Sequence, residues 1–474
     1  MPVHPRIFYF RRSGMTFSII LPDNVKRIIK TLEAAGFEAY AVGGCVRDAL
    51  LKRVPQDWDI TTSALPEEVK RLFPRTVDTG IEHGTVTVMR GQEGFEVTTY
   101  RIDGRYEDCR HPDSVTFTRN LREDLLRRDF TINAMAYNES TGLVDLFGGT
   151  EDLQAGIIRA VGNPTERFSE DALRILRAVR FAAQLGFTIE PETKEAMKAL
   201  SGNLRVVSAE RIREELTKLL GSQHPEELFE ARNLGITAYW LPEWDLMCDT
   251  PQENVHHIYD VAGHTVETIH GLHKTEEYRK ASSKEQAMLN YTMLLHDSAK
   301  PQCKTYDGDG QAHFKGHAKP GAATAKEVLR RLKFDNETVD SCTKLICYHD
   351  TLYRRHGETP EVTVRFLMNR IGTERMAFLF AVFTADAGAK APQYLDGCLR
   401  RIEMLREAYK KVVSEGQCVN LKMLAVNGAD LMALGYPAGP KLGEVLNELL
   451  EDVLLNPEHN TKEYLLAVAR AGKE

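Results

Sequence analysis

The chain has 474 residues, enough for several domains, and its apolar and charged fractions of 42% and 27% are ordinary for a globular protein. The net charge of −7 excludes a surface that is basic throughout, although a local basic groove is compatible with an acidic total. The sequence has no apolar run of about 18 residues, so no membrane span is predicted. Its eight cysteines form no C-x-x-C pair, which favours a reducing, cytoplasmic environment.

The first fourteen residues are basic and aromatic, without the apolar segment and cleavage site of a signal peptide. We interpret residues 1–14 as a non-native or disordered extension and Met15 as the natural start. Beyond it, apolar residues recur at helical spacing from Asp23 to Gly36, and a glycine is suited to end a helix. The pattern predicts a scaffold helix over this segment.

A glycine pair follows a short apolar run. The run Tyr40–Val42 predicts a strand, and Gly43 with Gly44 allows a tight turn that can approach a ligand closely. The next segment, Cys45–Lys52, predicts a helix that includes Arg47. Because the first N–H groups of a helix have no partner within it, this start is suited to meet an anion.

Two aspartates flank a tryptophan shortly afterwards. Asp57 and Asp59 precede the β-branched pair at 60–61, so we place them on a second strand, where alternate residues face the same side. The two carboxylates would then lie together, with Trp58 packed behind them. Such a pair suits Mg²⁺, which takes oxygen ligands and shares its coordination sphere with substrate phosphates. An isolated D-x-D is most often a solvated turn, but the upstream glycine pair and arginine strengthen the functional interpretation.

The segment from Tyr40 to Ile60 resembles the signature of the nucleotidyltransferase superfamily that includes DNA polymerase beta. In particular it is similar to class II CCA-adding enzymes and bacterial poly(A) polymerases. Further family motifs follow in the family's order at Arg127–Ala136, Asp145–Asp152, Glu170–Phe187 and Glu210–Leu220. The resemblance implies an α+β fold, in which a polymerase-beta-like head with a small sheet precedes all-helical neck, HD and tail domains. We expect these at residues 22–150, 165–235, 250–390 and 393–474.

The resemblance also implies roles for the acidic residues. Asp57 and Asp59 would be catalytic and would hold Mg²⁺. Glu96, on a strand predicted at Phe95–Tyr100, is the candidate for the third carboxylate that the superfamily carries on such a strand. An exposed strand glutamate without a role is the alternative.

Basic residues are expected to bind the nucleotide. By resemblance, Gly44 and Arg47 would hold phosphates and Arg128 would contact the nucleotide. The sequence predicts an amphipathic helix that begins after Arg128 and carries Phe130 and Met135. An arginine pair at a helix start opposes the helix dipole, and a bound triphosphate would reverse that effect.

The segment Arg101–Thr118 lacks periodicity and mixes arginines, acids and a proline. In the family a flexible loop of this kind lies beside the active site and is needed for the final adenosine. Because the loop here has full length, an enzyme that adds only the two cytidines is disfavoured.

A single helix is predicted at Phe168–Gly186, with Ser169 as its N-cap. It carries charged residues stepping by three: Asp171, Arg174, Arg177 and Arg180. A solvated salt-bridge face is one interpretation. The family motif implies instead that the first two pair with the Watson–Crick edge of the incoming base. The last two match further family arginines that serve the triphosphate or anchor the helix to the core.

The second half contains histidines and carboxylates in an H…HD…H…H…D order, namely His264, His296, Asp297, His317, His349 and Asp386. Imidazole and carboxylate together suit Mn, Fe, Co, Ni or Mg. The order resembles the HD phosphohydrolase domain, which implies a second divalent metal site able to cleave phosphoesters with a metal-bound water. The sequence does not identify its substrate.

The resemblance implies template-independent addition of CCA to the tRNA 3′ end from CTP and ATP, with release of pyrophosphate. Expected partners are tRNA, CTP and ATP, with tRNA gripped by the tail, and neither a membrane nor a stable protein partner is expected. An A-adding enzyme and a poly(A) polymerase share these motifs and remain alternatives. Alternatives from other classes are an HD phosphohydrolase with a vestigial transferase head and a non-catalytic RNA-binding protein.

Overall fold

The computed structural model describes residues 18–104, 114–353 and 359–472. The expected extension at 1–14, Met15 and the middle of the 101–118 segment lie outside the described residues. The chain divides into two compact units, Met1–Trp240 and Leu241–Glu474.

The first unit combines strands and helices. Its strands are β1 (Ala39–Val42), β2 (Ile60–Thr62), β3 (Thr76–Gly80), β4 (Thr85–Arg90), β5 (Glu93–Thr99), β6 (Arg101–Asp103), β7 (Val115–Phe117), β8 (Met135–Asn138), β9 (Gly142–Asp145), β10 (Ile157–Ile158) and β11 (Thr188–Ile189). Its α-helices are α1 (Asp23–Ala34), α2 (Gly44–Leu50), α3 (Pro66–Leu72), α4 (Leu121–Leu126), α5 (Gly149–Ala155), α6 (Pro164–Glu170), α7 (Leu173–Leu185), α8 (Pro191–Leu200), α9 (Ala209–Leu220) and α10 (Glu227–Asn233).

A seven-stranded sheet in the order β3-β4-β5-β2-β1-β8-β9 positions the predicted active site. Only β2 and β5 run parallel; the other neighbours are antiparallel. The interior strand β1 is buried on both faces, since Ala39 and Ala41 pack in one core cluster with α1, while Tyr40 and Val42 pack in another with Leu125. This double burial explains why β1 is apolar at every position.

The ends of the 101–118 segment are more regular than the sequence indicates. Arg101–Asp103 and Val115–Phe117 pair as the antiparallel strands β6 and β7. The predicted absence of regular structure is therefore wrong at both ends, because three-residue strands are too short to show an alternating pattern.

Over its described residues, the second unit is helical apart from one short hairpin, β12 (Thr305–Tyr306) with β13 (Ala312–His313). Its α-helices are α11 (Pro242–Cys248), α12 (Val261–His273), α13 (Glu276–Lys280), α14 (Ser283–Leu295), α15 (Lys300–Cys303), α16 (Ala318–Arg331), α17 (Asn336–Tyr348), α18 (Pro360–Ile371), α19 (Met376–Gly388), α20 (Pro392–Ser414), α21 (Gly428–Ala433), α22 (Pro440–Leu455) and α23 (Lys462–Ala471). Among the described helices of both units, none is long and apolar enough to cross a lipid bilayer.

Candidate active site and metal centre

The turn between β1 and α2 brings the backbone close to a cationic side chain. Gly43 has a φ of 85° and a ψ of −134°, a conformation that glycine adopts far more readily than other residues. A Cβ at this position would lie 3.2 Å from Nη1 of Arg128. The first glycine of the pair therefore leaves room for the Arg128 guanidinium beside the start of α2.

The two aspartates lie directly before β2 rather than on it. The strand begins at Ile60, although the Asp59 carbonyl already accepts a hydrogen bond from the Val42 N–H at 3.0 Å. The predicted strand placement of Asp57 and Asp59 is therefore wrong, because β2 pairs with β1 only from Ile60 onward. Trp58 packs against the core, as predicted.

Glu96 lies on β5 next to Asp59. Ile60 pairs with Val97 in the parallel ladder, which brings the residues before them side by side, and the Glu96 side chain is exposed. The pKa of Asp59 is raised to about 6, first by burial and then by the nearby charges of Asp57 and Glu96, while Arg128 partly opposes these effects. The three carboxylates predicted from the sequence thus repel one another across one site, and a bound cation would relieve that repulsion.

The three carboxylates alone do not form a complete set of metal ligands, so a metal ion at this site would also need ligands from the substrate. Among the described residues, the ligand atoms of Asp57, Asp59 and Glu96 are not gathered within 4.8 Å of one another, unlike two groups in the second unit. A Mg²⁺ ion commonly binds through one or two carboxylates and takes its remaining ligands from substrate phosphates and water. The carboxylate set fits such an open site.

Arg128 and Arg47 differ in their contacts. Arg128 donates to Asp124 at 3.3 Å, and its Nε is buried without a hydrogen-bond partner. Arg47 is itself buried and donates from Nη1 to Asn133 at 2.8 Å, while its Nη2 lies near Gly44. Arg128 retains unused donor capacity in its buried part, whereas Arg47 fastens α2 to the 131–133 turn.

The predicted helix after Arg128 is not found. A helix, α4, ends just before the arginine pair, and a 3-10 turn at Thr131–Asn133 leads into the strand β8. Residues 130–136 are nearly all buried, so their apolar side chains do not reflect one helical face. The arginines therefore lie at the carboxyl end of a helix, where the helix dipole favours positive charge.

Asp124 is a buried neighbour of Arg128 that the sequence analysis did not single out. It is fully buried and accepts hydrogen bonds from Arg127, Arg128 and Thr61. Burial raises its pKa, but the two arginine charges outweigh that effect and the pKa is lowered overall. Asp124 precedes Arg127 by three residues and Arg128 by four, the spacing at which side chains meet on a helix, and this spacing is visible in the sequence.

The single helix predicted at Phe168–Gly186 is two helices. Asn163, not Ser169, caps α6 by accepting from the backbone N–H of Thr165 and Glu166. The chain then breaks at Asp171, whose Oδ1 accepts from the Leu173 N–H at 3.0 Å, and α7 begins at Leu173. The break was missed because buried side chains continue on both sides of it.

Asp171 and Arg174, the predicted base-selecting pair, lie at this junction. Oδ2 of Asp171 forms an ion pair with Arg211 at 2.7 Å. Arg174 donates to the Glu170 carboxylate at 2.6 Å and to the Arg127 carbonyl at 2.8 Å. Both side chains are therefore held in place by neighbours on α6, α9 and the end of α4.

Arg177 and Arg180 make internal ion pairs. Arg177 donates to Asp129, and Arg180 donates to the buried Glu215 on α9 at 2.7 Å. Arg180 also stacks on Phe181, at 3.5 Å from the ring centroid. Of the two roles implied for these arginines, the contacts favour anchoring over triphosphate binding.

All six histidines and carboxylates predicted in the second half converge in one buried cluster. His264 and Asp386 lie on α12 and α19, and the other four lie at or near the ends of α14, α16 and α17. His264 Nε2 lies 3.0 Å from the Asp386 carboxylate. The Nε2 atoms of His296 and His317 each lie 3.1 Å from the Asp297 carboxylate. His349 Nε2 lies 3.6 Å from Asp297.

The histidine rings are all oriented through Nδ1. In His296, His317 and His349 this atom lies 2.7–2.8 Å from a backbone carbonyl, and in His264 the distance is 3.3 Å. Donation from Nδ1 leaves Nε2 as an unprotonated lone pair in the neutral ring. Four such lone pairs then face Asp297 and Asp386.

In this arrangement hydrogen-bond acceptors, the Nε2 lone pairs and the carboxylate oxygens, face one another. His317 Nε2 lies 3.1 Å from His349 Nε2. The Nε2 of His296 and both oxygens of Asp297 are buried without a well-formed hydrogen bond, although Lys300 Nζ lies 2.8 Å from Asp297 Oδ2. Lone pairs that converge in a buried cluster and outnumber the donors available to them, the Lys300 and Lys390 ammonium groups, fit a bound cation. Among the described residues, two groups have ligand atoms within 4.8 Å, namely His264, His296 and Asp386, and His296, Asp297 and His349.

The carboxylates of this cluster are ionised. Burial opposes ionisation of both, but the ammonium charge of Lys300, 2.8 Å from Asp297, holds the pKa of Asp297 well below its usual range. The charge of Lys390, 2.6 Å from Asp386, does the same for the pKa of Asp386. Neither lysine was singled out from the sequence, although Lys300 lies three residues after Asp297.

Carboxylates directly before β2 and on β5, with an arginine-lined turn beside them, define a nucleotidyltransferase head. Residues 39–159 match the family described as the Poly A polymerase head domain, residues 186–248 an RNA and SrmB binding site of polymerase A, and residues 317–469 a tRNA nucleotidyltransferase domain 2.

Comparison with known proteins extends this match to nearly the whole chain. The chain is 36% identical over 448 residues to the CCA-adding enzyme of Lactiplantibacillus plantarum, covering 94% of this chain and 95% of that protein. It is 57% identical over 213 residues to the CCA-adding enzyme of Lactobacillus helveticus, covering 44% of this chain and 53% of that protein. The crystal structure of the Bacillus stearothermophilus CCA-adding enzyme in complex with CTP matches with a TM-score of 0.67 and 32% identity, over 94% of this chain and 97% of that one. The chain belongs to the family of CCA-adding enzymes.

Proposed function

We propose that this protein adds cytidine, cytidine and adenosine to the 3′ end of tRNA, using CTP and ATP and releasing pyrophosphate, in the cytoplasm. The observation that carries the proposal is the repulsive set of Asp57, Asp59 and Glu96 beside Arg128, in a chain with full-length similarity to CCA-adding enzymes. We assign the nucleotidyltransferase head to residues 22–150, the neck to 165–235, an HD-type domain to 250–390 and a tRNA-binding tail to 393–474.

The three carboxylates are proposed to hold Mg²⁺. Bound Mg²⁺ would supply Lewis-acid stabilisation of the triphosphate and make the tRNA 3′-hydroxyl a better nucleophile. Asp57 and Asp59 contribute the oxygens before β2, and Glu96 contributes one from β5. Their mutual repulsion keeps the set suited to a cation rather than to a neutral ligand.

Arg128 is proposed to contact the triphosphate, since its guanidinium lies between Gly43 and Asp124 with a buried Nε that has no partner. Gly44 and Arg47 are proposed to support the phosphates from the start of α2. The buried contacts of Arg47 favour a positioning role for it.

Asp171 and Arg174 are proposed to select the base. Cytosine and adenine each carry an amine donor beside a ring-nitrogen acceptor, which a carboxylate and a guanidinium complement respectively. Uracil and guanine lack this combination on the same edge. The network around both side chains limits their rotation and so makes the pair a rigid template.

Extension of labelled tRNA transcripts tests the proposal. Transcripts that end before CCA, after C and after CC are incubated with CTP, ATP or both, and growth by CC followed by a single A is expected. Asp57→Ala should abolish incorporation of both nucleotides and leave tRNA binding largely intact. The matched control is Asp78→Ala, an exposed aspartate on β3 paired with Lys70, which should retain activity. Long A tails, or addition to the CC-ended transcript alone, would contradict full CCA addition.

We also propose that the histidine cluster of the second unit binds a divalent metal ion and hydrolyses phosphoesters. The four inward-facing Nε2 atoms and two ionised carboxylates support this second function. His264, His296, Asp297, His317, His349 and Asp386 would hold the metal, and a metal in such a site activates water for attack on phosphorus.

Metal content and hydrolysis test this second function separately from the first. Protein purified with Mn²⁺ should retain metal by elemental analysis and hydrolyse bis(p-nitrophenyl) phosphate. His296→Ala should lose hydrolysis and the metal of the histidine cluster, while Asp57→Ala should keep hydrolysis. Hydrolysis that persists in His296→Ala, or metal that is absent from the unaltered protein, would contradict the assignment.

A further inference from the structure

The side chain of Arg211, on α9, lies against Asp171. Its Nη2 is 2.7 Å from Asp171 Oδ2, while Oδ1 accepts from the Leu173 backbone N–H at 3.0 Å. Each carboxylate oxygen can accept more than one hydrogen bond. Arg211 therefore fixes the orientation of Asp171 and leaves it able to accept from a base.

Arg211 also has a donor that nothing in its surroundings uses. Its Nη1 is buried and has no hydrogen-bond partner. A buried N–H of a charged group is unfavourable when unpaired, so an acceptor brought beside it would form a favourable hydrogen bond. Both terminal nitrogens of Arg174, in contrast, already donate to protein acceptors.

The position of this donor distinguishes the two bases. When the exocyclic amine of the base donates to Asp171, adenine and cytosine differ in the atom that lies beside the amine on the side away from the ring nitrogen. Adenine has N7, an acceptor, next to its amine, whereas cytosine offers only its amine on that edge. The two terminal nitrogens of a guanidinium are close together. Since Nη2 of Arg211 contacts Asp171, the unpaired Nη1 also lies beside Asp171.

We propose that Arg211 donates from Nη1 to N7 of adenine and thereby favours ATP in the final addition step. The inference rests on the proposed role of Asp171 as the acceptor of the base amine. Three side chains would then read adenine in order, with Arg174 at the ring nitrogen, Asp171 at the amine and Arg211 at N7. Cytosine would be read by the first two alone.

Single-turnover addition of adenosine to a CC-ended tRNA, with ATP or 7-deaza-ATP, tests this contact. In 7-deaza-ATP a C–H replaces N7. The unaltered enzyme should use the analogue about 10-fold less efficiently in kcat/KM, the range expected for one hydrogen bond from a charged donor. In Arg211→Ala the efficiency with ATP should fall to that with the analogue, so that the ratio approaches one. Any general effect of mispositioning Asp171 cancels in this ratio.

The controls separate the inference from the proposed function. Arg205→Ala removes an exposed arginine that stacks on Tyr239 in the same unit, and should preserve the 10-fold ratio. Arg211→Lys keeps a positive charge beside Asp171 and serves if the alanine variant does not fold; it should also lose most of the ratio, because lysine lacks the forked donors. Equal use of ATP and the analogue by the unaltered enzyme, or a ratio that survives in the Arg211 variants, would overturn the inference. If Asp171→Ala still selects C and A over U and G, the proposed template itself fails.

Discussion

Asp129 accepts two hydrogen bonds from Arg177, from Nε at 2.9 Å and from Nη2 at 2.7 Å. Burial opposes ionisation of Asp129, but the Arg177 charge and hydrogen bonds outweigh it and lower the pKa of Asp129 to about 2. The pair joins the segment that carries Arg128 to the helix that carries Arg174. It therefore couples the proposed phosphate contact to the proposed base contact within the first unit.

Asp129→Ala should destabilise the first unit. Removal of Asp129 takes away the closest partner of Arg177, whose side chain is one-third exposed and also lies 3.7 Å from Glu215. The free energy of unfolding should therefore fall by about 2 kcal/mol. Urea denaturation followed by intrinsic fluorescence and circular dichroism measures the change. Asp78→Ala, which breaks an exposed pair with Lys70, should have a much smaller effect. Equal effects of the two variants would show that Asp129 and Arg177 do not form a buried pair in solution.

The same carboxylate predicts a pH dependence. The pKa of Asp129 is about 2 in the folded protein, below the value of about 3.9 for an unfolded aspartate. A lowered folded-state pKa stabilises the protein above the unfolded pKa, and this contribution is lost as the pH falls from about 4 to about 2. The difference in unfolding free energy between the unaltered protein and Asp129→Asn should therefore be constant above about pH 5. It should shrink in more acidic solution. A difference that stays constant down to about pH 3 would contradict the lowered pKa.

Gly43→Ala should impair catalysis more than stability. The φ of 85° strains any residue with a Cβ, and the new methyl group would lie 3.2 Å from Arg128 Nη1. Displacement of a nucleotide-contacting arginine by a few tenths of an ångström should lower kcat/KM for both CTP and ATP about 10-fold or more.

Gly91→Ala is the matched control for this prediction. Gly91 also has a positive φ, 65°, but a Cβ there would meet nothing within 4 Å. Thermal unfolding should show a loss of about 1–3 kcal/mol in each variant, and only Gly43→Ala should lose activity. Full activity of Gly43→Ala would mean that Arg128 can move without consequence for the nucleotide.

Local patterns in the sequence predicted the elements that carry the carboxylates. The helix at Asp23–Ala34, the strand β1 and the proximity of Asp59 to Glu96 followed from periodicity and from the resemblance to polymerase-beta-like enzymes. The histidine cluster was also predicted as a set, because the order of its ligands is visible without knowledge of their packing.

Long-range pairing and double burial account for the errors. The 130–136 segment was predicted as a helix because burial on both faces of β8 hides the alternation of a strand. The break at Asp171 and the ion pairs of Asp171 with Arg211 and of Asp129 with Arg177 depend on how distant segments pack. With many arginines and acids in the first unit, the sequence does not indicate which charges will meet.

Lys300→Met should make the stability of the second unit depend on metal. Lys300 is buried, and its Nζ lies 2.8 Å from Asp297 Oδ2 and 2.7 Å from the Gln252 amide oxygen. Removal of this ammonium leaves the Asp297 carboxylate without its nearest lysine charge, so the metal-free variant should be less stable by about 3 kcal/mol. A metal ion in the cluster would compensate the carboxylate. The rise in melting temperature on addition of Mn²⁺ should therefore be larger for Lys300→Met than for the unaltered protein. Lys304→Met, which removes a surface lysine paired with Glu253, should leave that rise unchanged. A smaller response to Mn²⁺ in Lys300→Met would mean that the lysine assists metal binding and does not substitute for the metal ion in balancing the charge of Asp297.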